Sequence, residues 1–533
     1  MRGILISSTR ILVLLSNILL VAACGGDGGD GQDSPVPSVQ VTLTSPSVSE
    51  DLAVGDEFPV NVAGSWSGTN VEPQEVFLQA RDTAARFTTP PTKNGSSGAS
   101  FTFVLHTLPT IAAGNYSGQI EVRACRDAGC VEPYSGARAT VAYSLAVATV
   151  TDWETHQRDA AHRGYVPIWL NPARFAKVWE WNREPDDPIG GINAVVTADE
   201  KVYVTKDVYF GEGVLYALNE GDGTEVWKVS FGQVPALNPP AVSNGRVYAA
   251  VTGQQDTALW AFDANTGAYQ HKSSFEGQWP HVLAPTVYGD HVFTAGGYYG
   301  GTTYSFSTTD GSREWVHNAG DEDMFTPAVG DTYVVRHTGS ALALVDRATG
   351  TQVAMVNDPF GSSSGYSYHG APVIGGRHNV FSFAGDAFSG RASSNVEQYE
   401  QRVLSSFDTD AQSYEWSTSS AYLTVPAVAG GVIYAGGNSP MSFDAIDEAT
   451  GEVLWSWVPS GNGDTSFHRN VVVTRNTVFV STDVAVYALD LATRTSVWSY
   501  PQPGMLAISA DRTLYIATGA RESDGHLVAI KMK

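Results

Sequence analysis

A short pattern recurs about every forty residues through the last two-thirds of the chain, and it limits the possible folds more than any other feature. Each full copy has an apolar strand, a turn and then a Trp, as in MSFDAIDEATGEVLW, which ends at Trp455. Other copies end at Trp227, Trp315, Trp416 and Trp498. Repeats of this period are typical of stacked or circular arrays. We therefore expect repeated units rather than one continuous core.

Each repeat is predicted to form four short strands. Alternating apolar residues, as in YALD, mark a half-buried strand, and the following acidic or Asn, Thr and Gly residues favour a turn because Gly accepts a positive φ. Two more strands joined by a tight turn precede each copy, for example around residues 244–245. Two weaker copies keep the turn glycines, Gly267 and Gly350, but have His271 and Ala354 in place of Trp. Four strands per repeat predict a propeller blade.

Recurrent prolines indicate which strand of each blade faces the central channel. Proline lacks an N–H and is tolerated only at sheet edges or bulges, so a strand that repeatedly carries one is expected to be the innermost. These prolines are Pro240, Pro285, Pro327, Pro372 and Pro426.

The number of blades follows from the repeats and from the strand that completes the last one. The eighth repeat stops at Lys533 before its Trp strand. The segment at about 176–181, AKVWEW, carries Trp179 and precedes the first complete blade, so it can supply the missing strand. We predict an eight-bladed β-propeller over residues 149–533. Seven blades is the alternative if the insertion at 383–404 conceals a miscount.

The first 38 residues are predicted to be an export signal and a tether. Basic residues precede an apolar run that is too short for the roughly twenty residues of a membrane span. The junction Val-Ala-Ala before Cys24 resembles a lipoprotein processing site, which implies removal of residues 1–23 and lipidation of Cys24. Residues 24–38 are Gly/Asp-rich and predict a flexible tether. Gly25, in the position of the usual inner-membrane retention Asp, favours an outer-membrane lipoprotein that is periplasmic or surface-exposed.

Residues 39–148 are organised differently, with short alternating runs separated by Gly, Pro, Ser and Asn turns. About seven strands without a helical period predict a β-sandwich. Its last third, AGNYSGQIEVRACRDAGC, resembles immunoglobulin-like modules of exported bacterial proteins. Cys125 and Cys130 are the only cysteines besides Cys24. In an oxidising compartment they are predicted to form a disulfide that pins a hairpin. The fold class is therefore all-β.

The repeat resembles the tryptophan-docking repeat of the pyrroloquinoline-quinone-like propeller family, and the resemblance covers roughly residues 150–533. It implies that the repeat tryptophans pack between blades rather than contact a cofactor. These residues are Trp179, Trp227, Trp315, Trp416, Trp455 and Trp498. The stretch before the first blade also resembles the entry segment of such propellers. Its His156, Arg158, His162 and Arg163 are interpreted as capping the propeller or contacting the other domain.

The family resemblance leaves an enzyme possible, but the residues favour a non-catalytic protein. Quinone-dependent dehydrogenases of this family have an adjacent cysteine pair and a calcium set, whereas this propeller has no cysteine and no compact Asp/Asn loop that would supply six oxygen ligands. Nucleophile elbows, phosphate-binding loops and HExxH motifs are also missing from the sequence. We therefore predict no catalytic residue, no cofactor and no metal. The formal net charge of −24 disfavours nucleic-acid binding.

The predicted function is a non-enzymatic, lipid-anchored scaffold of the cell envelope that mediates protein interactions.

 The nearest functional model within the family is an outer-membrane β-barrel assembly lipoprotein, a non-enzymatic propeller scaffold. An envelope protein is the expected partner, and the chain is expected to be a monomer. Two alternatives stay open. One is a quinoprotein dehydrogenase-like propeller that binds pyrroloquinoline quinone and calcium, and the other is a cell-surface carbohydrate-binding protein that uses the sandwich or the Tyr-rich loops. The insertion at 383–404 is the preferred place for a partner contact.

Overall fold

The computed structural model describes residues 36–45, 47–182, 191–206, 208–253, 256–277, 283–296, 301–318, 326–338, 340–360, 371–383, 402–460, 463–519 and 525–533. The predicted signal, Cys24, most of the tether and residues 384–401 of the insertion lie outside these ranges. Within them, no helix has the length and apolar character needed to cross a membrane.

The N-terminal module consists of two β-sheets. Its strands are β1 (Ser38–Leu43), β2 (Val48–Ala53), β3 (Pro59–Thr69), β4 (Phe77–Asp82), β5 (Lys93–Asn94), β6 (Ser100–His106), β7 (Gly114–Cys125) and β8 (Pro133–Ala148). One sheet has the order β1-β3-β6 and the other β2-β8-β7-β4-β5. Strand β2 runs parallel to β8, and the other pairs are antiparallel. Two short 3₁₀ helices, Pro73–Glu75 and Gly95–Ser97, lie between strands.

Alternation along these strands builds the core of the module. In β6 the residues Phe101, Phe103 and Leu105 are buried while their neighbours face solvent. Residues from both sheets, including Val62 and Ile120, belong to the same apolar cluster. A period of two places alternate side chains on opposite faces of a sheet, so each sheet contributes one apolar face to this core. The assignment of the module as immunoglobulin-like stays a prediction.

The rest of the described chain forms eight groups of four antiparallel strands, here called blades 1 to 8. The first two groups are joined into one eight-stranded sheet, because the end of the last strand of blade 1 pairs with the second strand of blade 2. A separate strand, β9 (Ala176–Asn182), follows the 3₁₀ helix Pro172–Arg174 and precedes blade 1. Blades 1 to 4 contain β10 (Val196–Ala198), β11 (Lys201–Thr205), β12 (Tyr209–Asn219), β13 (Glu225–Leu237), β14 (Ala241–Ser243), β15 (Arg246–Thr252), β16 (Ala258–Asp263), β17 (Tyr269–Ser274), β18 (Thr286–Tyr288), β19 (His291–Gly296), β20 (Thr302–Ser307), β21 (Arg313–Asn318), β22 (Ala328–Val329), β23 (Tyr333–His337), β24 (Ala341–Asp346) and β25 (Gln352–Asn357).

Blades 5 to 8 continue the same order of strands. They contain β26 (Val373–Ile374), β27 (Asn379–Phe383), β28 (Arg402–Asp408), β29 (Ser413–Tyr422), β30 (Ala427–Ala429), β31 (Val432–Asn438), β32 (Met441–Asp447), β33 (Val453–Trp457), β34 (Phe467–Val473), β35 (Thr477–Thr482), β36 (Val486–Asp490), β37 (Thr495–Tyr500), β38 (Met505–Ile508), β39 (Thr513–Ala517) and β40 (His526–Lys531). This organisation confirms the all-β, propeller-type fold class.

Blade 8 takes its fourth strand from the beginning of the propeller. Strand β9 pairs antiparallel with β40, so that Trp179 lies opposite Ala529 and Asn182 opposite His526. The sheet therefore has the order β38-β39-β40-β9. Because β9 is joined through the chain to blade 1, this pairing ties the last blade to the first.

The first strand of each blade is its inner edge, and in every blade except blade 7, where β34 has seven residues, it has two to four residues. In blades 2 to 6 a proline stands immediately before this strand, so that its missing N–H leaves the sheet ladder intact. Middle strands are the most buried, as in β19 and β35, where nearly every side chain is enclosed between neighbouring blades. The core of the ring is thus a series of layers between adjacent sheets.

A buried ion pair joins the N-terminal module to blade 8. The Arg512 guanidinium lies 2.7 Å from Oδ1 of Asp56, and both side chains are almost completely enclosed. The same Asp56 carboxylate accepts the N–H groups of Trp169 and Ala53, each at 2.8 Å. Phe58 packs edge-on against the Trp169 indole at 5.2 Å. The two modules therefore share a polar and aromatic junction.

Candidate functional site

A linker that precedes β9 crosses the inside of the ring. Residues 151–168 are here called the central segment. They accept backbone hydrogen bonds from the first strands of blades 1, 2, 4, 5, 6 and 7. The donors are the N–H groups of Thr197, Val242, Val329, Ile374, Val428 and Val473. Thr155 donates to the carbonyl of Pro285 in front of blade 3, and Ala510 after the first strand of blade 8 donates to the Asp152 carboxylate. All eight blades therefore bond to this one segment.

Tight turns allow the central segment to follow the ring. Gln157, Arg158, His162 and Gly164 all have positive φ, between 50° and 79°. Non-glycine residues rarely adopt this conformation, and they hold it where surrounding contacts fix it. The Gln157 amide supplies such contacts, because it donates to the carbonyls of Pro426 and Val471 at 3.1 and 3.2 Å.

Two neutral histidines lie at the middle of the ring. His156 and His162 are buried, and their ring centroids are 4.8 Å apart in an edge-on arrangement. Nδ1 of His162 lies 2.9 Å from the carbonyl of Pro372, and Nε2 lies 3.3 Å from the Thr286 hydroxyl. Burial lowers the pKa of His162 to about 4 and lowers that of His156 well below its usual value. Both rings are therefore uncharged at neutral pH.

A groove lies over one side of the central segment, on the face of the ring that carries the turns between first and second strands. Its volume is about 640 Å³. The floor includes Asp159 and Arg163, and the rim includes Tyr288, Asp331 and Asp410 from blades 3, 4 and 5. We call it the turn-face groove. The N-terminal module contacts the same face at blades 7 and 8, through Arg475 and Arg512.

Carboxylates outnumber cations around the turn-face groove. Glu154 also lines it, and burial together with the nearby Asp152 raises its pKa. Arg163 donates Nε to the carbonyl of Ile374 at 3.1 Å, so its guanidinium is bound to the blade 5 turn. A Lys or Arg side chain of a partner would find carboxylate acceptors here, in a site partly withdrawn from water.

From the sequence, a cap or a contact with the other domain is the expected role of His156, Arg158, His162 and Arg163. The structure instead places them along the inside of the ring. Arg158 donates to Tyr165 and Thr151 of its own segment, at 2.8 Å in each case. The segment has no strand or helix period, and its partners lie far away in the sequence. No local signal indicated this position.

Four of the predicted docking tryptophans each cover a turn glycine of the next blade. A Cβ atom at the glycine would lie 2.4–2.8 Å from the indole ring. The pairs are Trp179 with Gly223, Trp227 with Gly267, Trp315 with Gly350, and Trp416 with Gly451. The indole N–H groups of Trp179, Trp227 and Trp315 donate to carbonyls in those same turns. The contact thus requires both the glycine and the indole.

The other two predicted tryptophans pack among aromatic rings. Trp455 contacts Tyr434 and Phe443, each at 6.2 Å between centroids. Trp498 packs edge-on against Phe175 at 5.5 Å. In blade 2 the weaker copy places the ring of His271 over Gly311. Four of the six predicted tryptophans thus contact a turn of the adjacent blade, whereas these aromatic contacts of Trp455 lie within its own blade.

The predicted cysteine pair lies at the hairpin between β7 and β8. Cys125 and Cys130 form a disulfide, with their Cα atoms 5.0 Å apart. The Asp127 carboxylate in the same turn accepts the N–H of Val131 at 3.1 Å and that of Glu132 at 2.8 Å. These backbone hydrogen bonds lower the pKa of Asp127. Cys24 lies outside the described residues.

The His156 and His162 side chains occupy the middle of the ring where the central segment crosses it. Within the described ranges, no three His, Cys, Asp or Glu side chains are grouped so that they could hold a metal ion.

Comparisons with known proteins place the propeller in a family. The crystal structure of BamB from Moraxella catarrhalis is 16% identical, with a TM-score of 0.46, and the match covers 67% of this chain and 98% of that chain. A structure titled KlHsv2 with loop 6CD replaced by a Gly-Ser linker is 7% identical, with a TM-score of 0.36 and coverage of 57% and 94%. No curated protein matches the chain.

The family model described as outer membrane protein assembly factor BamB matches residues 163–280, 211–457 and 412–533. These overlapping matches extend over residues 163–533, which is 371 of 533 residues. The resemblance to the pyrroloquinoline-quinone-like propeller family is thereby confirmed. The chain belongs to the family of the outer membrane protein assembly factor BamB.

Proposed function

We propose that this protein is a non-enzymatic scaffold of the cell envelope, anchored to the outer membrane by a lipid on Cys24 and able to bind a protein partner through the turn-face groove. Family membership over residues 163–533 supports a role in outer-membrane assembly. The Cys24 junction supports the anchor. The preformed turn-face groove supports the proposed position of the partner contact.

The observation that carries the proposal is the bonding of the central segment to all eight blades. These bonds give the groove a floor and rim that are fixed before a partner arrives. A preformed surface loses less conformational entropy on binding than a flexible one. This rigidity suits recognition of a partner, whereas a catalytic site would also need reacting groups at the floor.

The charge of the groove indicates the chemistry of the partner contact. Asp159, Asp331 and Asp410 border the groove, and Glu154 lies deeper. A segment carrying Lys or Arg would form charge-assisted hydrogen bonds with these carboxylates. Charges at the rim also increase the association rate. We therefore propose that the partner presents a basic segment to this face.

Site-specific photocrosslinking in intact membranes tests the proposed contact. A photoreactive amino acid is introduced at Thr332 on the groove rim, and in a parallel protein at Val453 on the outer strand of blade 6. We expect an envelope protein to be crosslinked from position 332 and not from position 453. Equal capture from both positions, or capture from neither, would contradict the proposed place of binding.

Charge reversal then tests the proposed chemistry. Asp331→Lys combined with Asp410→Lys should reduce the crosslink from position 332 at least about tenfold, since it removes two rim carboxylates and adds like charge to a basic partner. The matched control combines Glu132→Lys with Glu452→Lys, which changes net charge equally at exposed positions away from the groove. A control that loses as much crosslink would indicate a nonspecific charge effect and would contradict the groove contact.

The proposed lipid anchor has a separate test. Cys24→Ser should move the protein from the membrane to the soluble fraction, and metabolic labelling with a fatty acid should disappear. Persistence of both the label and the membrane association would contradict lipidation at Cys24.

A further inference from the structure

A second cavity lies on the same turn face of the ring, between the N-terminal module and blade 8. Its volume is about 480 Å³, which is within the usual range for small-molecule sites. Apolar atoms dominate its lining, and the main residues are Val54, Val150, Trp169, Arg174, Met532 and Lys533. We call it the junction cavity. Sites of this kind often form where two domains meet.

The walls of the junction cavity are fixed by buried contacts. Arg512 donates to the carbonyls of Trp169 and Val54, at 2.7 and 2.8 Å, and to the enclosed Asp56 carboxylate. Phe58 packs edge-on against the Trp169 ring. Residues of both modules therefore present one preformed surface. A ligand that enters it would not have to order the walls.

Three cationic side chains line this cavity. They are Arg174, Arg512 and Lys533, and the carboxylates of Glu57 and Asp511 also line it. Each of these cations is paired with a carboxylate: Arg174 with Glu57, Arg512 with Asp56, and Lys533 with Asp511.

Arg174 is the cation best placed to meet a ligand. It donates only Nη1, to Glu57 at 2.7 Å, and its side chain is 49% exposed. Its other N–H groups have no partner among the described residues, and a guanidinium can donate two parallel bonds to one carboxylate. Arg512, in contrast, is occupied by the buried contacts that join the modules.

We infer that the junction cavity binds a small organic anion with a flat apolar body, such as an aryl carboxylate. The apolar body packs against Trp169, Val150 and Met532, and the carboxylate accepts hydrogen bonds from Arg174. This site is separate from the turn-face groove and does not depend on the scaffold function.

Calorimetric titration of the full mature chain with three matched probes tests the inference. The probes are naphthalene-2-carboxylate, the neutral 2-naphthalenemethanol and the cationic 2-naphthylmethylammonium. We expect one carboxylate to bind per chain, the alcohol to bind at least about tenfold more weakly because it lacks charge-assisted bonds, and the ammonium to bind more weakly still. Absence of carboxylate binding, or equal affinity for the alcohol, would overturn the proposal.

Variants connect the binding to this cavity. Arg174→Gln should weaken the carboxylate at least about tenfold while leaving the alcohol nearly unchanged, and Thr149→Phe should abolish binding of both by filling the space from an exposed position. Arg81→Gln is the control, since Arg81 forms a similarly exposed ion pair with Glu121 elsewhere in the N-terminal module. Carboxylate binding that is unchanged in Arg174→Gln, or equally weakened in Arg81→Gln, would place the ligand elsewhere and overturn the proposal.

Discussion

Single titratable residues at the centre of the ring make its stability depend on pH. His162 is enclosed and bonded to the Pro372 carbonyl, and burial lowers its pKa to about 4. An unfolded chain would protonate the same imidazole near pH 6.5. The neutral form is therefore favoured by folding, and the resulting stability is lost as pH falls from about 6.5 to about 4.

Between neutral pH and pH 4, the His162 imidazole should lower the free energy of unfolding of the parent protein by about 3 kcal/mol. This loss should be absent in His162→Asn. Denaturant unfolding at a series of pH values measures it as the difference between variant and parent. His378→Asn is the control, because His378 is exposed and should not change the slope. Parallel pH profiles for His162→Asn and the parent would refute the assignment.

At the scale of the element, a turn glycine and an indole form the contact between adjacent blades. Gly451 has φ of +74° and lies beneath Trp416, so that a Cβ would be 2.4 Å from the ring. Gly245 has nearly the same φ, +72°, but a Cβ there would meet nothing within 4 Å. The two glycines therefore separate backbone strain from close packing.

Substitution by Ala at Gly245 and at Gly451 should lower the stability of the protein by different amounts. Gly245→Ala should cost about 1 kcal/mol, because an L-residue is disfavoured at positive φ. Gly451→Ala should cost about 1–3 kcal/mol more, because the indole must also move. Unfolding midpoints of the two variants measure the difference. Equal costs would show that the Trp416 contact contributes nothing to the stability of the ring.

Regular elements were predictable from the sequence, whereas the central segment was not. The Gly-to-Trp spacing repeats, so the strand pattern and the position of residues such as Trp227 can be read locally. His162, in contrast, contacts Thr286 and Pro372, which are 124 and 210 residues away. The segment that carries it has no period, so sequence alone could not place it across the ring. The junction cavity was missed for the same reason, because Val54 and Lys533 come from opposite ends of the chain.

At the scale of the whole molecule, the two modules are expected to unfold together. The enclosed Asp56–Arg512 pair and the Phe58–Trp169 contact would both be lost if either module unfolded alone. Removing one member of a buried pair leaves an uncompensated charge, which typically costs about 3–5 kcal/mol. The junction is therefore expected to contribute strongly to cooperativity.

Scanning calorimetry of the parent protein should show one transition, and Asp56→Asn should lower its midpoint and separate the modules into two transitions. Glu57→Gln removes the exposed pair with Arg174 and should cost at most about 1 kcal/mol. Two transitions already present in the parent, or an equal effect of both variants, would contradict the coupling.

The pairing of β9 with β40 also has a consequence for biogenesis. Trp179 and Ala529 are neighbours in one sheet, yet 350 positions separate them in the chain. A polypeptide that emerges from its N-terminus can form early hairpins, but it has no partner for β9 until its last residues are available. Contacts between distant parts of a chain form slowly, so an unfinished copy would expose a sheet edge and would be a natural target for chaperones.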